Sequence, residues 1–538
     1  MSGGTAASEE PGAEAGPEHM NPFLVWCRLL NWLWALAGVG CLAASAAFVG
    51  GRGSEKARGG LSERWERNPR LRAAVFVLLP AALAAHKWLQ YRACEMTADD
   101  ADVINMLWRV AHGFGMSSYS YSGASYLSNH FSLLLLPLSP FFLSRWGTPA
   151  LILAQSLALG SAPAAAYLWV KEETGDSGRA ALTALATAAC PMFASLASSI
   201  LIETTFALPL FLWALYFVSR RRPVPAFLLL LGLVFTREEV PLLLFGFGLA
   251  EGVSSGGAAR KWRGLALAAL SAVLWWAEMR CVGYFRALRP GGLDFWRLFD
   301  FVKGSGAAGL GQALILRPGV VLGALFLPPH KLLVVARVMG TLGLIPLAAG
   351  SALLPALAVW LPHQLAHAGH SFQSLRNHHG AIVLAALVYA FHGGFGRLQK
   401  AFPRRRDSLA AVALLGASFG FLTAPALRVV RAPASWFYAS EGAVAAVPDG
   451  AKVWSDDYLL ARLAQRRFLS PLPLSARDAA DFVPDRVVAS AYWTELHPLA
   501  AERLAASLRR GRYAPVFTAS GLWVFARPGP EERPSSGR

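Results

Sequence analysis

FSLLLLPLSPFFLSRW, residues 131–146, is apolar enough to enter a bilayer but not built to cross one. A spanning helix needs about 20 consecutive apolar residues. This stretch has 16, interrupted by Pro137 and Pro140. Proline removes a backbone donor and breaks an interior helical turn. Both ends of the stretch are therefore expected on the same side of a membrane.

The chain around it supports a membrane setting. Of 538 residues, 55% are hydrophobic and only 15% charged, and the mean hydropathy is +0.41. A soluble chain of this length needs more polar surface to cover its core. The formal charge is +17, yet the basic residues fall in short loops between apolar segments. That pattern excludes a nucleic-acid binder and fits topology signals and contact with anionic lipid. The five cysteines form no CxxC pair and read as small apolar packing residues. Residues 1–21 are rich in Gly, Ala and Glu, lack a basic signal-peptide start, and read as an acidic disordered tail.

Charge sets the expected sides. The loop 51–72 holds Arg52, Lys56, Arg58, Arg64, Arg67, Arg70 and Arg72, so it is expected in the cytoplasm. Residues 22–49 form a first span before it, and 71–91 a span leaving it. The cytoplasmic ends continue at Arg220–Arg221–Arg222, at Arg260, Lys261 and Arg263, and at Lys400 with Arg404–Arg405–Arg406. Counting back through 205–219, 180–198 and 149–170 puts 131–146 on the outer face. Residues 224–250 likewise start and end in the cytoplasm, around the charged centre FTREEV. Each arm has about a dozen residues, roughly 18–20 Å of helix. Arg237, Glu238 and Glu239 then sit within the membrane thickness, where charges pair or face water. Spans near 264–285, 306–327, 332–350, 381–395 and 408–425 complete about eleven or twelve membrane helices. From about residue 427 to 527, AKVWSDD, RFLSPL, RVVASAYW and PVFTASGLWVFA read as strands between helical stretches. They predict a small C-terminal α/β domain outside the cytoplasm. It has no glycine-rich phosphate loop. Residues 528–538 read as a second disordered tail.

The chemistry candidates converge on the outer face. ADDADVINMLWRVA begins with Asp99, Asp100 and Asp102. Val103, Met106, Leu107, Val110 and Ala111 make its apolar face; Asp102, Asn105, Arg109 and His112 lie opposite. Thr97 and Asp100 have capping-box spacing. Either Asp99 or Asp102 is a candidate general base. His130 opens the non-crossing segment, and Glu203 lies at the outer ends of two spans. Arg237 and His130 suit a phosphate. The histidine-rich stretch 363–380 includes His363, His367, His378 and His379, but no carboxylate is spaced to complete a metal site. A lipid-linked phosphate donor fits this side, where ATP and sugar nucleotides are absent.

DDADVINMLW, NHFSLLLLPLSPFF, TREEVPLLLFGFGL, FQSLRNHHGAIV and VPDGAKVWSDDYLLARLAQRRFLSPLP together resemble the bacterial predicted-membrane-protein family called domain of unknown function 2079. The likeness covers about residues 70–525. Leu133 stands where that family's D/N-H-F-S-P signature has proline. Arg237–Glu238–Glu239 keeps the charge signs of its Lys-Glu-Asp, and His378–His379 replaces its His-Tyr. The span 22–49 and the loop to residue 69 look additional to the family core. The family is similar in layout to the C-type (GT-C) glycosyltransferases. The resemblance implies a GT-C-like membrane domain over 70–426, with an outer loop over 92–130. It implies Asp99 or Asp102 as the first-loop acid and Glu203 as a second acidic position. It also implies that His130 and Arg237 contact a lipid phosphate, while Glu238, Glu239, Arg109, His378 and His379 help bind substrate. A polyprenyl-phosphate sugar would be the donor and a hydroxyl or amine the acceptor, at the bacterial cytoplasmic membrane. A divalent cation is compatible with the acidic residues, and the sequence points to no particular cofactor. The rival readings are a lipid or solute transporter, favoured by an inverted repeat that is not evident, and a non-catalytic assembly factor.

Overall fold

The computed structural model describes residues 22–49, 68–94, 96–117, 124–198, 201–254, 257–288, 298–299, 301–302, 306–367, 375, 377–423, 434–472 and 483–528. The chain is helical, with a small sheet near its C-terminus. Helices α1 (Pro22–Val49) and α2 (Pro69–Arg92) lead into a shorter α3 (Ala98–Ala111). Residues 131–146 form no long helix; they run through a tight 3₁₀ segment, Leu136–Leu143. Helix α4 (Gly147–Thr174) ends at Gly175, whose φ of 68° favours glycine. Asp176 then caps α5 (Ser177–Ala189) by accepting from the Gly178 and Arg179 amides. Pro191 starts α6 (Pro191–Ser198), bent 59° from α5.

Helix α7 (Ala207–Ser219) is followed by α8 (Pro223–Val234) and α9 (Val240–Gly252), arms of 12 and 13 residues around FTREEV. The hairpin expected over 224–250 is thus present. Its tip docks on the 131–146 segment: the Leu133 and Leu134 amides both donate to the Phe235 carbonyl, at 2.9 and 3.0 Å. Helix α9 lies against the long α10 (Ala258–Leu288). Small residues let the two backbones touch, as in helix pairs within lipid. A Cβ on Gly248 would lie 2.6 Å from the Ala268 nitrogen. Gly248→Leu is therefore expected to separate the pair at a cost of about 1–3 kcal/mol. Thermal unfolding of the solubilised protein measures this; an unchanged midpoint refutes the packing argument.

The region 306–365 corrects the expected spans. Instead of one crossing near 306–327 there are α11 (Gly306–Leu316) and α12 (Pro318–Phe326), bent by 102°. Pro318 causes the break, because it lacks an amide and disfavours helical geometry at Arg317, here at φ −136° and ψ 50°. The exit expected over 332–350 is also divided. Helix α13 (His330–Thr341) stops at a turn with Gly343 and Leu344 at φ 61° and 58°. Two 3₁₀ turns follow before α14 (Leu354–Leu365). Lys331 of α13 donates to the carbonyls of Ala324, Gln364 and Ala366 at 2.6–2.8 Å, tying α12 and α14 together. Helices α15 (Ala381–Ala401) and α16 (Arg406–Thr423) follow. Among the described residues, α4, α10 and α15 are long and apolar enough to cross a membrane, and each bent pair brings the count to five. Further apolar helices among the described residues are shorter, at Trp32–Ala47 within α1, Glu203–Ser219, Pro223–Val234 and Val240–Gly252.

The bundle has two chemically different ends. At one, Arg220 meets Glu172 at 3.5 Å, Arg406 pairs with Asp176, and Arg260 meets Glu251 at 2.6 Å. The other carries α3, the FTREEV tip and the C-terminal segment. That segment comprises α17 (Ala434–Ala445), β1 (Val453–Ser455), α18 (Asp457–Leu463), β2 (Leu469–Pro471), β3 (Arg486–Ser490), α19 (Ala491–Leu496), α20 (Pro498–Arg510), β4 (Ala514–Ala519) and β5 (Leu522–Ala526). The sheet order is β2-β1-β3-β5-β4. Strand β1 pairs parallel with β2 and β3, while β5 pairs antiparallel with β3 and β4. Ser520 and Gly521, with positive φ, close the last hairpin.

Candidate functional site

The polar face of α3 does two jobs. Its inner part docks the C-terminal segment: Asn105 donates to the Ala464 and Arg466 carbonyls at 2.8 and 2.9 Å. Arg109 donates to the Arg467 carbonyl at 2.8 Å and to Ser117 at 2.7 Å. Arg109 is thus engaged in holding the two parts together. The start of α3 is fixed separately. Asp100 accepts from the Thr97 amide at 2.7 Å and from its hydroxyl at 2.9 Å. Its other oxygen accepts from the Leu201 amide, two residues before Glu203. One buried carboxylate therefore caps α3 and fixes the 201–206 turn. Asp100→Ala is expected to cost about 1–3 kcal/mol and to lower activity through Glu203's position. A thermal midpoint within error of wild type would sink this.

Asp99 and Asp102 separate. Asp102 is only 6% exposed, within the buried part of α3. Asp99 keeps contact with water while protein atoms crowd around it. This crowding, followed by the charge of Asp100, holds its carboxyl above the ordinary range; Arg237 opposes the shift and Asp457 of α18 adds to it.

The FTREEV tip holds the densest charge. Glu238 accepts from the Phe131 amide at 2.9 Å and bonds His130 Nδ1 at 2.9 Å. His130 Nε2 faces Arg237 Nη2 at 2.9 Å. A guanidinium can only donate. Nε2 must therefore be the acceptor, and the proton sits on Nδ1, donated to Glu238. His130 is neutral in this arrangement. Through this bond it helps to orient Arg237. Arg237 Nε also lies 3.7 Å from Glu238 and 4.0 Å from Glu239. Glu239 in turn lies 3.8 Å from His363 Nε2. The result is a buried His–Glu–Arg–Glu–His chain.

Arg237 is 3% exposed, and its Nη1 has no hydrogen-bond partner among the described residues. Buried donors are almost always paired, so this one marks a place for an anionic or other accepting group. Glu203, fully buried, accepts from the Tyr126 hydroxyl at 3.2 Å. Glu203, Tyr126 and Asp99 all lie within electrostatic reach of Arg237. The structure thus brings Asp99, His130, Glu203, Arg237, Glu238 and Glu239 to one end of the bundle. His379 extends the cluster, its ring 6.5 Å from that of His363. The side chain of His378 lies outside the described residues. No group of three or more His, Cys, Asp or Glu among the described residues is arranged to hold a metal. Tyr126, the Asp100–Leu201 bond and the His363–Glu239 pair emerge only from the fold.

A polytopic helical membrane protein with a buried ionic site, roofed by a small mixed sheet, is the class these features define. The chain belongs to the family described as predicted membrane protein (DUF2079), which matches residues 104–524. Two solved structures are similar in shape, both of ArnT from Cupriavidus metallidurans. The one bound to undecaprenyl phosphate is 13% identical, with a TM-score of 0.48, over 85% of this chain and 99% of that one. The apo form is 15% identical, with a TM-score of 0.46, over 85% and 98%. No curated protein matches the chain.

Proposed function

We propose that the protein is an inverting glycosyltransferase of the bacterial cytoplasmic membrane, working on its outer side with a polyprenyl-phosphate sugar as donor. The observation that carries this reading is Arg237: a buried, always-charged group with a donor left over, braced by Glu238, His130 and Glu239. A lipid-linked phosphate suits that donor. The basic loops at the opposite end favour an outward orientation for the site.

In the reaction, an acceptor hydroxyl or amine attacks the sugar's anomeric carbon. The bond from that carbon to the phosphate oxygen breaks, and its electron pair leaves on the polyprenyl phosphate. Arg237 stabilises the departing charge, the kind of preorganised electrostatic contribution that dominates such steps. A carboxylate takes the acceptor's proton. Asp99 is the best placed, being open to water and within reach of Arg237. Glu203 and Glu239 shape the charge around the phosphate. Mass spectrometry of lipid carriers in a deletion strain tests the reading. A polyprenyl-phosphate sugar is expected to accumulate, and to disappear when the wild-type chain is restored. Unchanged lipid carriers and envelope glycans would overturn the reading.

A further inference from the structure

Helix α10 carries one residue that its surroundings do not explain. Its outer face is exposed and apolar, with Trp262, Leu270, Val273 and Trp276 more than half exposed, as expected against lipid. Glu278 on the same helix is 4% exposed, and both of its carboxylate oxygens lack a hydrogen-bond partner among the described residues. A carboxyl in that position is expensive and is retained only for use.

Its location says what the use is. Glu278, Val282 and Arg286 are spaced four apart and share a face. Arg286 donates to the Ser128 carbonyl at 3.2 Å, so that face lies along the 126–130 segment. Helices α9 and α10 pack antiparallel, Gly248 against Ala268 and Gly252 against Gly264, a register that brings Glu278 level with Glu238, the carboxylate that holds His130. The Ser128 hydroxyl is also fully buried and unpartnered among the described residues. Unused acceptors and a hydroxyl thus lie beside the ionic cluster.

We infer that Glu278 and Ser128 form a subsite for the donor's sugar, in which Glu278 accepts hydrogen bonds from a hydroxyl or ammonium substituent. This rests on the glycosyltransferase reading. A ligand that fills the subsite satisfies the carboxylate; without it, the residue is a cost to the fold.

The purified full-length protein is compared with Glu278→Leu and Glu278→Gln. The probes are polyprenyl phosphate, polyprenyl-phosphate hexose and polyprenyl-phosphate aminohexose. In wild type, at least one sugar lipid is expected to bind about tenfold or more tightly than the bare phosphate lipid. In Glu278→Leu that increment disappears while bare polyprenyl phosphate binds as before. The ligand-free midpoint of Glu278→Leu rises, because an unsatisfied buried carboxyl is gone. Glu278→Gln keeps one accepting oxygen and is expected to keep part of a hydroxyl increment but to lose an ammonium one. Equal binding of all three lipids by wild type, or an increment retained in Glu278→Leu, overturns the inference. Failure of bare polyprenyl phosphate to bind wild type instead overturns the glycosyltransferase reading itself.

Discussion

Arg237→Met is expected to abolish transfer and to destabilise the protein by about 3–5 kcal/mol, the range for removing one partner from a buried ion pair. The reason is local. Glu238 and Glu239 lie 3.7 and 4.0 Å from the guanidinium, and both are largely buried. Without it two carboxylates face each other with no cation between them, and His130 Nε2 loses its donor. Arg237→Lys keeps the charge but not the planar fork. It should recover much of the stability and little of the transfer. Arg237→Met combined with Glu239→Gln separates the two effects: removing one surplus carboxylate restores part of the midpoint while transfer stays absent. Thermal unfolding and transfer from a radiolabelled lipid-linked sugar measure the pair. Full activity in Arg237→Met would end the phosphate assignment.

Sequence and structure agree where one local rule governs. Two short apolar arms around FTREEV can only make a hairpin, and two prolines in 131–146 can only prevent a span. That the FTREEV tip meets the 131–146 segment, through Phe235 and Leu133–Leu134, is tertiary and invisible to periodicity. The same holds for the polar face of α3. Its pattern gives the helix and the face, but not that Asn105 and Arg109 spend their donors on residues some 360 positions away. In 306–365 the hydropathy is continuous while the backbone is not. Pro318 and the left-handed turn at Gly343–Leu344 divide what averages read as whole spans. Glu278 had a signal: a single carboxylate in an apolar helix. What that signal lacks is direction, since sequence does not say whether the residue faces lipid or site. The histidine stretch shows the converse. His363 and His367 lie four apart in sequence, yet His363 faces Glu239 of the FTREEV tip.

Asp99→Asn is expected to lower transfer by about 10²–10⁴-fold, the usual contribution of a general base, while leaving binding of polyprenyl phosphate intact. The choice over its neighbours rests on geometry. Asp100 is occupied by Thr97 and Leu201, Asp102 is buried, and Glu203 is held by Tyr126. Crowding by protein, then Asp100, raises the Asp99 carboxyl above its usual value. The sign of the pH dependence follows. A base must be ionised, so transfer falls as pH drops through that raised value, and the falling limb disappears in Asp99→Asn. For folding the sign is opposite: between the unfolded value, about 3.9, and the raised native one, the native state binds more of this proton, so stability declines as pH rises through that window. Above the window Asp99→Asn should be at least as stable as wild type. Lost transfer in a protein of undiminished midpoint distinguishes a missing base from a damaged fold. If Asp99→Asn retains transfer and Asp102→Asn loses it, the base lies one turn further along α3.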